Sequence, residues 1–256
     1  LKIKDITEFI EEMAPISTQE EWDNSGIQVG NTENELKGIL LSLDLSCEVL
    51  EYATDNGFNL IINHHPLIFN HLNKIDYNSD IGKKIYKTVK EDLTVYASHT
   101  PLDKMKNGVS YALAEKLKLK NISVLDEISS YGVEGNIDSI NVFEFLEKVK
   151  TDLEMSDLIF YGDYTGDISK ISVMGGSGAF MIDKAIENNS DILITSDIKY
   201  HDGQKAVENG LKILDIGHYN SEKWILWKLK SILEEKFADI KKMEIFEYKR
   251  ICRKLI

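Results

Sequence analysis

A strand–helix–strand–helix–strand order that occurs twice along 256 residues constrains this chain more than any other feature. In the first half, GILLSLD (38–44) reads as a buried strand, CEVLEYATDNG (47–57) as an amphipathic helix and NLIIN (59–63) as a second strand. A helix over about 79–91 and the strand LTVYASH (93–99) come next, then a helix over 108–119 and the strand NISVLDE (121–127). In the second half KISVMGG (170–176), the helix 179–188, DILITSD (191–197), LKILDIGH (211–218), the helix 221–237 and KMEIFEY (242–248) answer these elements in turn. Short apolar strands alternating with helices predict an α/β (α+β) fold of mixed, mainly parallel sheets with helices packed on them. The repeated order predicts two similar domains from an internal duplication.

Composition narrows the class. Hydrophobic residues at 43% and charged residues at 29% suit a packed globular body. A formal net charge of −13 opposes nucleic acid as the main partner, because a phosphate backbone is bound chiefly by Lys and Arg. Cys47 and Cys252 are far apart and show no metal-type spacing, which points to a reducing, cytoplasmic setting. No apolar run approaches the roughly 20 residues of a membrane helix. Ile3, Ile6, Phe9, Ile10 and Met13 fall on one helical face, so the N-terminal stretch reads as the first helix of the mature fold and not as a signal peptide.

The chemistry-bearing residues sit at strand ends. The strand ending in His99 has Asp103 four residues later, and its counterpart ending in His218 has Glu222 four residues later. Strand C-termini of open parallel sheets are where ligands gather, and His with Asp or Glu is the ligand set of zinc, iron or manganese. His64 and His65 end the preceding strand, immediately before Pro66, which ends the ladder and lets both rings turn toward one cavity. A His-His pair alone is ordinary surface sequence more often than ligand; joined to the other strand-end ligands it reads as metal-binding.

Other features divide between readings. GGSGA (175–179) closes a strand and opens a helix, so it is either an anion cradle or a tight strand-to-helix turn. It lacks the ending of a P-loop. Trp22, Asp23, Asn24 and Gly26 form a loop that rims the pocket, or Trp22 is simply packed; His71 reads as solvated surface, and Trp224 and Trp227 as core or subunit interface.

NHHPLIF, SHTPLD and GHYNSE resemble the motifs of the GTP cyclohydrolase I type 2 homologues, the Nif3-like proteins with a dinuclear metal centre. EEWDNSGIQVG (20–30) and TSDIKYHDGQKAVENG (195–210) are similar to that family as well, so the likeness covers nearly the whole chain. It implies metal ligands His64, His65, Asp103, His218 and Glu222, two divalent ions per chain (Zn, Fe or Mn), and His99 and His201 beside them, either as supports of the ligands or as proton carriers. It also implies a toroidal homohexamer and exchange of the last strand of each half. The first domain then takes residues 1–119 plus 240–256 and the second 120–239, with the metal site between them. Ser196 departs from the pattern, standing where the family leads one to expect glycine, and the long domain that some relatives carry between the halves is missing.

Two ions about 3.5–4 Å apart activate a bridging water as hydroxide. The function expected from the resemblance is therefore metal-dependent hydrolysis of a small molecule, a purine nucleotide such as GTP. The alternative is a metal-binding regulatory or chaperone-like hexamer without nucleotide hydrolysis. A plain nucleotide-binding module resting on GGSGA is the third reading.

Overall fold

The structure, a computed structural model, describes residues 1–247. Along the chain run α1 (Ile3–Met13), β1 (Gly26–Val29), β2 (Ile39–Ser42), α2 (Cys47–Asp55), β3 (Leu60–Asn63), α3 (Asp80–Lys90), β4 (Thr94–Ala97), α4 (Thr100–Lys104) and α5 (Val109–Lys116). They are followed by β5 (Lys120–Val124), β6 (Val133–Asn141), α6 (Val142–Leu153), β7 (Ile159–Tyr161), β8 (Asp167–Ser177), α7 (Ile182–Glu187), β9 (Ile192–Ser196), α8 (Tyr200–Glu208), β10 (Lys212–Asp215), α9 (His218–Glu222), α10 (Trp224–Lys236) and β11 (Met243–Ile245). The chain divides into two compact units, one formed by Leu1–Leu102 with the described residues from Leu226 onward, the other by Asp103–Ile225.

In the first unit the sheet order is β1-β4-β3-β2-β11. The strands β2, β3 and β4 are parallel neighbours and every residue in them is buried, which is why they read as unbroken apolar runs and not as alternating ones. Leu40, Ile61 and Val95 form one cluster with Val49, Leu50 and Ala53 of α2. The side chain of Ser46 caps α2 by accepting from the Val49 amide at 3.1 Å. On α1, Ile3, Ile6 and Ile10 are fully buried, the spacing that its sequence announces. Because β2, β3 and β4 run the same way, Asp44, His64, His65 and His99 all emerge beyond strand C-terminal ends.

The second unit has the order β5-β6-β8-β9-β10-β7. Here β8, β9 and β10 are parallel and β7 pairs antiparallel with β10, while β6 is antiparallel to both β8 and β5. Val142, Phe145, Leu146, Val149 and Leu153 of α6 pack with Ile168, Ile171 and Val173 in its core.

Several expectations need amendment. The stretch between 127 and 170 contains β6, α6 and β7, where the sequence reading marked only a separator. KMEIFEY and NISVLDE are not equivalent in pairing, since β11 lies parallel against β2, whereas β5 lies antiparallel against β6 and not against β8. Both strands nonetheless sit in the sheets the exchange assigned them; Tyr248 and Cys252 lie outside the described residues.

The domain boundaries 119/120 and 239/240 also move. Helix α5 belongs to the second unit because Leu113, Ala114, Leu117 and Leu119 complete the core around Val133 and Val173. Residues from Leu226 onward belong to the first, where Phe237 meets Phe9 edge-on at 5.4 Å.

Candidate metal centre

Three imidazoles converge in the first unit. The rings of His64 and His65 are 5.0 Å apart, and His99 stands 5.1 and 5.4 Å from them. One ligand atom from each lies within 4.8 Å of the others, so the group is able to hold a metal ion. Their orientation is fixed from behind. The Nδ1 of His64 donates to the Ser98 carbonyl oxygen at 2.9 Å, that of His65 to Asp44 Oδ1 at 2.9 Å, and that of His99 to Asp23 Oδ1 at 2.9 Å. Each partner is an acceptor only, so each neutral ring keeps its proton on Nδ1 and its lone pair on Nε2. Carboxylates and carbonyls that hold Nδ1–H in this way are the usual supports of metal-ligating histidine.

Asp23 is the most constrained of these supports, with a side chain that has no exposure. Besides His99 it accepts from the amides of Asn24 (2.7 Å) and Thr100 (3.0 Å) and from the hydroxyls of Ser25 and Thr100. Burial pushes its carboxyl up and is the largest single influence. The bonds from His99, Thr100 and Asn24, joined by the charge of the His99 ring when it is protonated, outweigh burial and hold the carboxyl well below the usual carboxylate range.

In the second unit His218 and Glu222 lie one turn apart on α9, with His218 Nε2 3.2 Å from Glu222 Oε1. The Nδ1 of His218 donates to Asp197 Oδ2 at 2.6 Å. Two glycines shape this corner. Gly217, at φ +76°, turns β10 into α9 in a conformation that L side chains rarely adopt, and Gly176, at φ +70°, makes room, since a Cβ there would stand 2.4 Å from Glu222 Oε1. The 3.2 Å separation passes a direct test of fit: a nitrogen and an oxygen bound at about 2.0–2.2 Å to one ion sit about 3.0–3.4 Å apart in tetrahedral or octahedral geometry.

Of the expected residues, His64, His65 and His99 come together in the first unit, and His218 and Glu222 in the second. Asp103 lies on α4, four residues past His99, with Oδ1 buried. His201 is exposed on α8, its ring 5.2 Å from Tyr200 and its Nδ1 3.5 Å from Gln204 Oε1. Ser196 is buried and donates to the Gly176 carbonyl at 2.7 Å, tying the end of β9 to the bend beside Glu222.

Gly175–Ser177 of GGSGA are the end of β8, and the amides of Gly175 and Gly176 already donate to Ser110 Oγ (3.2 Å) and Ser221 Oγ (2.9 Å). Trp22 is not packed in a core but 56% exposed, whereas Asp23, read as part of the same rim, is buried.

Sequence reasoning passed over Asp44 and Asp197 as imidazole anchors. A signal was present: LSLD and ITSD both end in Asp at the C-terminal end of a buried strand, the same place that supplies the histidines.

Comparison with known proteins points to one family. The family model described as Duf34/NIF3 (NGG1p interacting factor 3) matches residues 1–251. A protein of Clostridium perfringens named GTP cyclohydrolase 1 type 2 homolog is 34% identical over 242 residues, covering 92% of each chain. One of the same name from Lactococcus lactis subsp. lactis is 36% identical over 222 residues, 86% of each. Among solved structures, a hypothetical protein of Staphylococcus aureus superposes with a TM-score of 0.92 at 28% identity, over 100% of this chain and 99% of that one. Reduced HcgD from Methanocaldococcus jannaschii gives 0.83 at 30% identity, over 97% and 98%.

Proposed function

The chain belongs to the Duf34/NIF3 family, and we propose that it works as a metal-dependent hydrolase of a small molecule, with a purine nucleotide as the first candidate substrate. The observation that carries this reading is the common support of four histidines: His64, His65, His99 and His218 each anchor Nδ1 on an oxygen, which places the lone pair of the neutral ring on Nε2. In this reading His64 and His65 hold metal in the first unit, and His218 and Glu222, with Asp103, hold it in the second. A divalent ion of zinc, iron or manganese supplies polarisation of water and of substrate oxygens near neutral pH.

The protein's own groups do the remaining work. His99, held by Asp23 in the tautomer with its lone pair on Nε2, accepts and returns a proton beside His64 and His65. His201, exposed on α8, is the second proton carrier of the proposal. The name shared by the curated relatives supports the nucleotide; a cytoplasmic homohexamer belongs to the same proposal.

Elemental analysis of untagged protein together with a turnover screen of nucleoside triphosphates tests the proposal. Bound divalent metal and a hydrolysis that Glu222→Gln loses are expected. Less than about one ion per chain, or turnover equal in the variant, overturns it.

A further inference from the structure

The wall beside the three histidines in the first unit is aromatic and open. Trp22 is 56% and Phe69 47% exposed, and their ring centroids are 5.8 Å apart with planes inclined by 38°. Both rings meet His99 edge-on, Trp22 at 5.7 Å and Phe69 at 6.3 Å. Two large aromatic side chains kept in water side by side lose the burial that normally accounts for such residues.

Their backbones are not loose. Asn24 Nδ2 donates to the Ile68 carbonyl at 2.6 Å, the Ile68 amide donates to Gln28 Oε1 at 3.0 Å, and Gln28 Nε2 donates to the Asn24 carbonyl at 2.7 Å. Gln28 is itself buried and anchors this bridge, which ties the loop that carries Trp22 to the loop that carries Phe69. Asp23 fastens the first loop a second time, through His99 and Thr100. The two loops are thus positioned before any ligand arrives, which lowers the ordering cost of binding.

We propose that Trp22 and Phe69 form a stacking shelf for a planar heteroaromatic ring, which they present edge-first to His99. The inference rests on reading the His64–His65–His99 group as the reactive centre. Two features favour a heteroaromatic ring over an apolar protein surface. The shelf ends on an imidazole, which offers a hydrogen-bonding atom to the edge of a base and nothing to a hydrocarbon. The shelf is also small, two rings wide, the scale on which single bases stack. The stacking rings carry no charge, so it is the base and not a phosphate that this subsite recognises.

Guanosine and ribose, titrated separately by calorimetry into the full-length protein as purified and without turnover, test the proposal. Guanosine should bind at millimolar concentration or below and ribose should not. Trp22→Leu and Phe69→Leu, which keep apolar bulk and remove the π-face, should each weaken guanosine binding about tenfold. Trp22→Phe, which restores a ring, should recover most of it. Four results each overturn the shelf: no guanosine binding, equal binding of ribose, Trp22→Leu at wild-type affinity, or variants that change only the sedimentation of the protein. The last identifies the surface as a contact between protein chains. Metal content, measured on the same samples, reports on the hydrolase reading by itself, because ring binding needs no hydrolysis.

Discussion

His218 Nε2 faces Glu222 Oε1 at 3.2 Å while the other nitrogen of the same ring donates to Asp197 at 2.6 Å. A neutral imidazole has one N–H, so it cannot serve both carboxylates, and His218 and Glu222 would hold a cation if one bound here. Asp197 then acts through His218 by fixing the orientation and tautomer of the ring. Asp197 has φ +58°, which asparagine tolerates, so Asp197→Asn keeps the backbone and removes the charge. Metal affinity should fall about 10-fold in Asp197→Asn and about 100-fold in Asp197→Ala. Competition against a chromogenic chelator measures both, and equal affinity in all three proteins removes Asp197 from the role.

His64 and His65 follow the last residue of β3, a strand whose four residues are all buried. His64 is buried, but neither imidazole belongs to the apolar cluster that holds this sheet, and replacing both with Ala should strip bound metal and leave the far-ultraviolet circular dichroism nearly unchanged. Metal content equal to wild type would show that other residues hold the ions.

How much of this was legible depended on whether a residue's role lay in its own chemistry or in its partners. The parallel strands β2, β3, β4, β8, β9 and β10 were plain in the sequence because strands buried on both faces read as apolar runs. The histidines were plain because they end those strands. Strand β6 was not, since VEGNIDSIN is largely polar and its burial is confined mostly to Val133 and Gly135. Helix α6 was missed although Val142, Phe145, Leu146, Val149 and Leu153 keep helical spacing and Asn141 caps it by accepting from the Glu144 amide at 3.0 Å. Asp23 looked like a loop residue because its burial comes from Thr100 and His99, more than 70 positions away. The boundary at 119/120 failed because α5 finds its core partners after it in sequence, among β6 and β8.

Gly176 should resist substitution more than its place in a glycine-rich stretch suggests. A Cβ at this residue meets two costs: the left-handed backbone at φ +70°, about 1–2 kcal/mol for any L side chain, and contact with Glu222 Oε1 at 2.4 Å. Gly176→Ala should therefore destabilise the fold by at least about 1 kcal/mol in urea unfolding and also weaken metal binding, because Glu222 has to swing away. Gly210, at φ +78° with open space around it, supplies the control. Gly210→Ala carries the backbone cost alone and should leave metal binding intact; metal loss shared by both variants would point to a general loosening.

Asp152, near the end of α6, gives the fold a defined acid sensitivity. Its side chain is 7% exposed, Lys118 Nζ donates to it at 2.6 Å and Lys148 pairs with it one turn back along the helix. Burial raises its carboxyl and is the largest influence, but the bonds and charges of Lys118 and Lys148 prevail and the carboxyl is held below its ordinary value. A carboxyl depressed in the folded state contributes stability above the unfolded value near 3.9, and that contribution drains away as pH falls through the folded value. In wild type the unfolded chain binds the proton first, so stability should decline as pH drops below about 4. Asp152→Asn should be less stable at pH 7 and lose less on acidification, the difference in slope approaching one proton, or about 1.4 kcal/mol per pH unit. Urea unfolding at a series of pH values between 3 and 7 reads this directly. Parallel curves for the two proteins would place the acid sensitivity elsewhere in the fold.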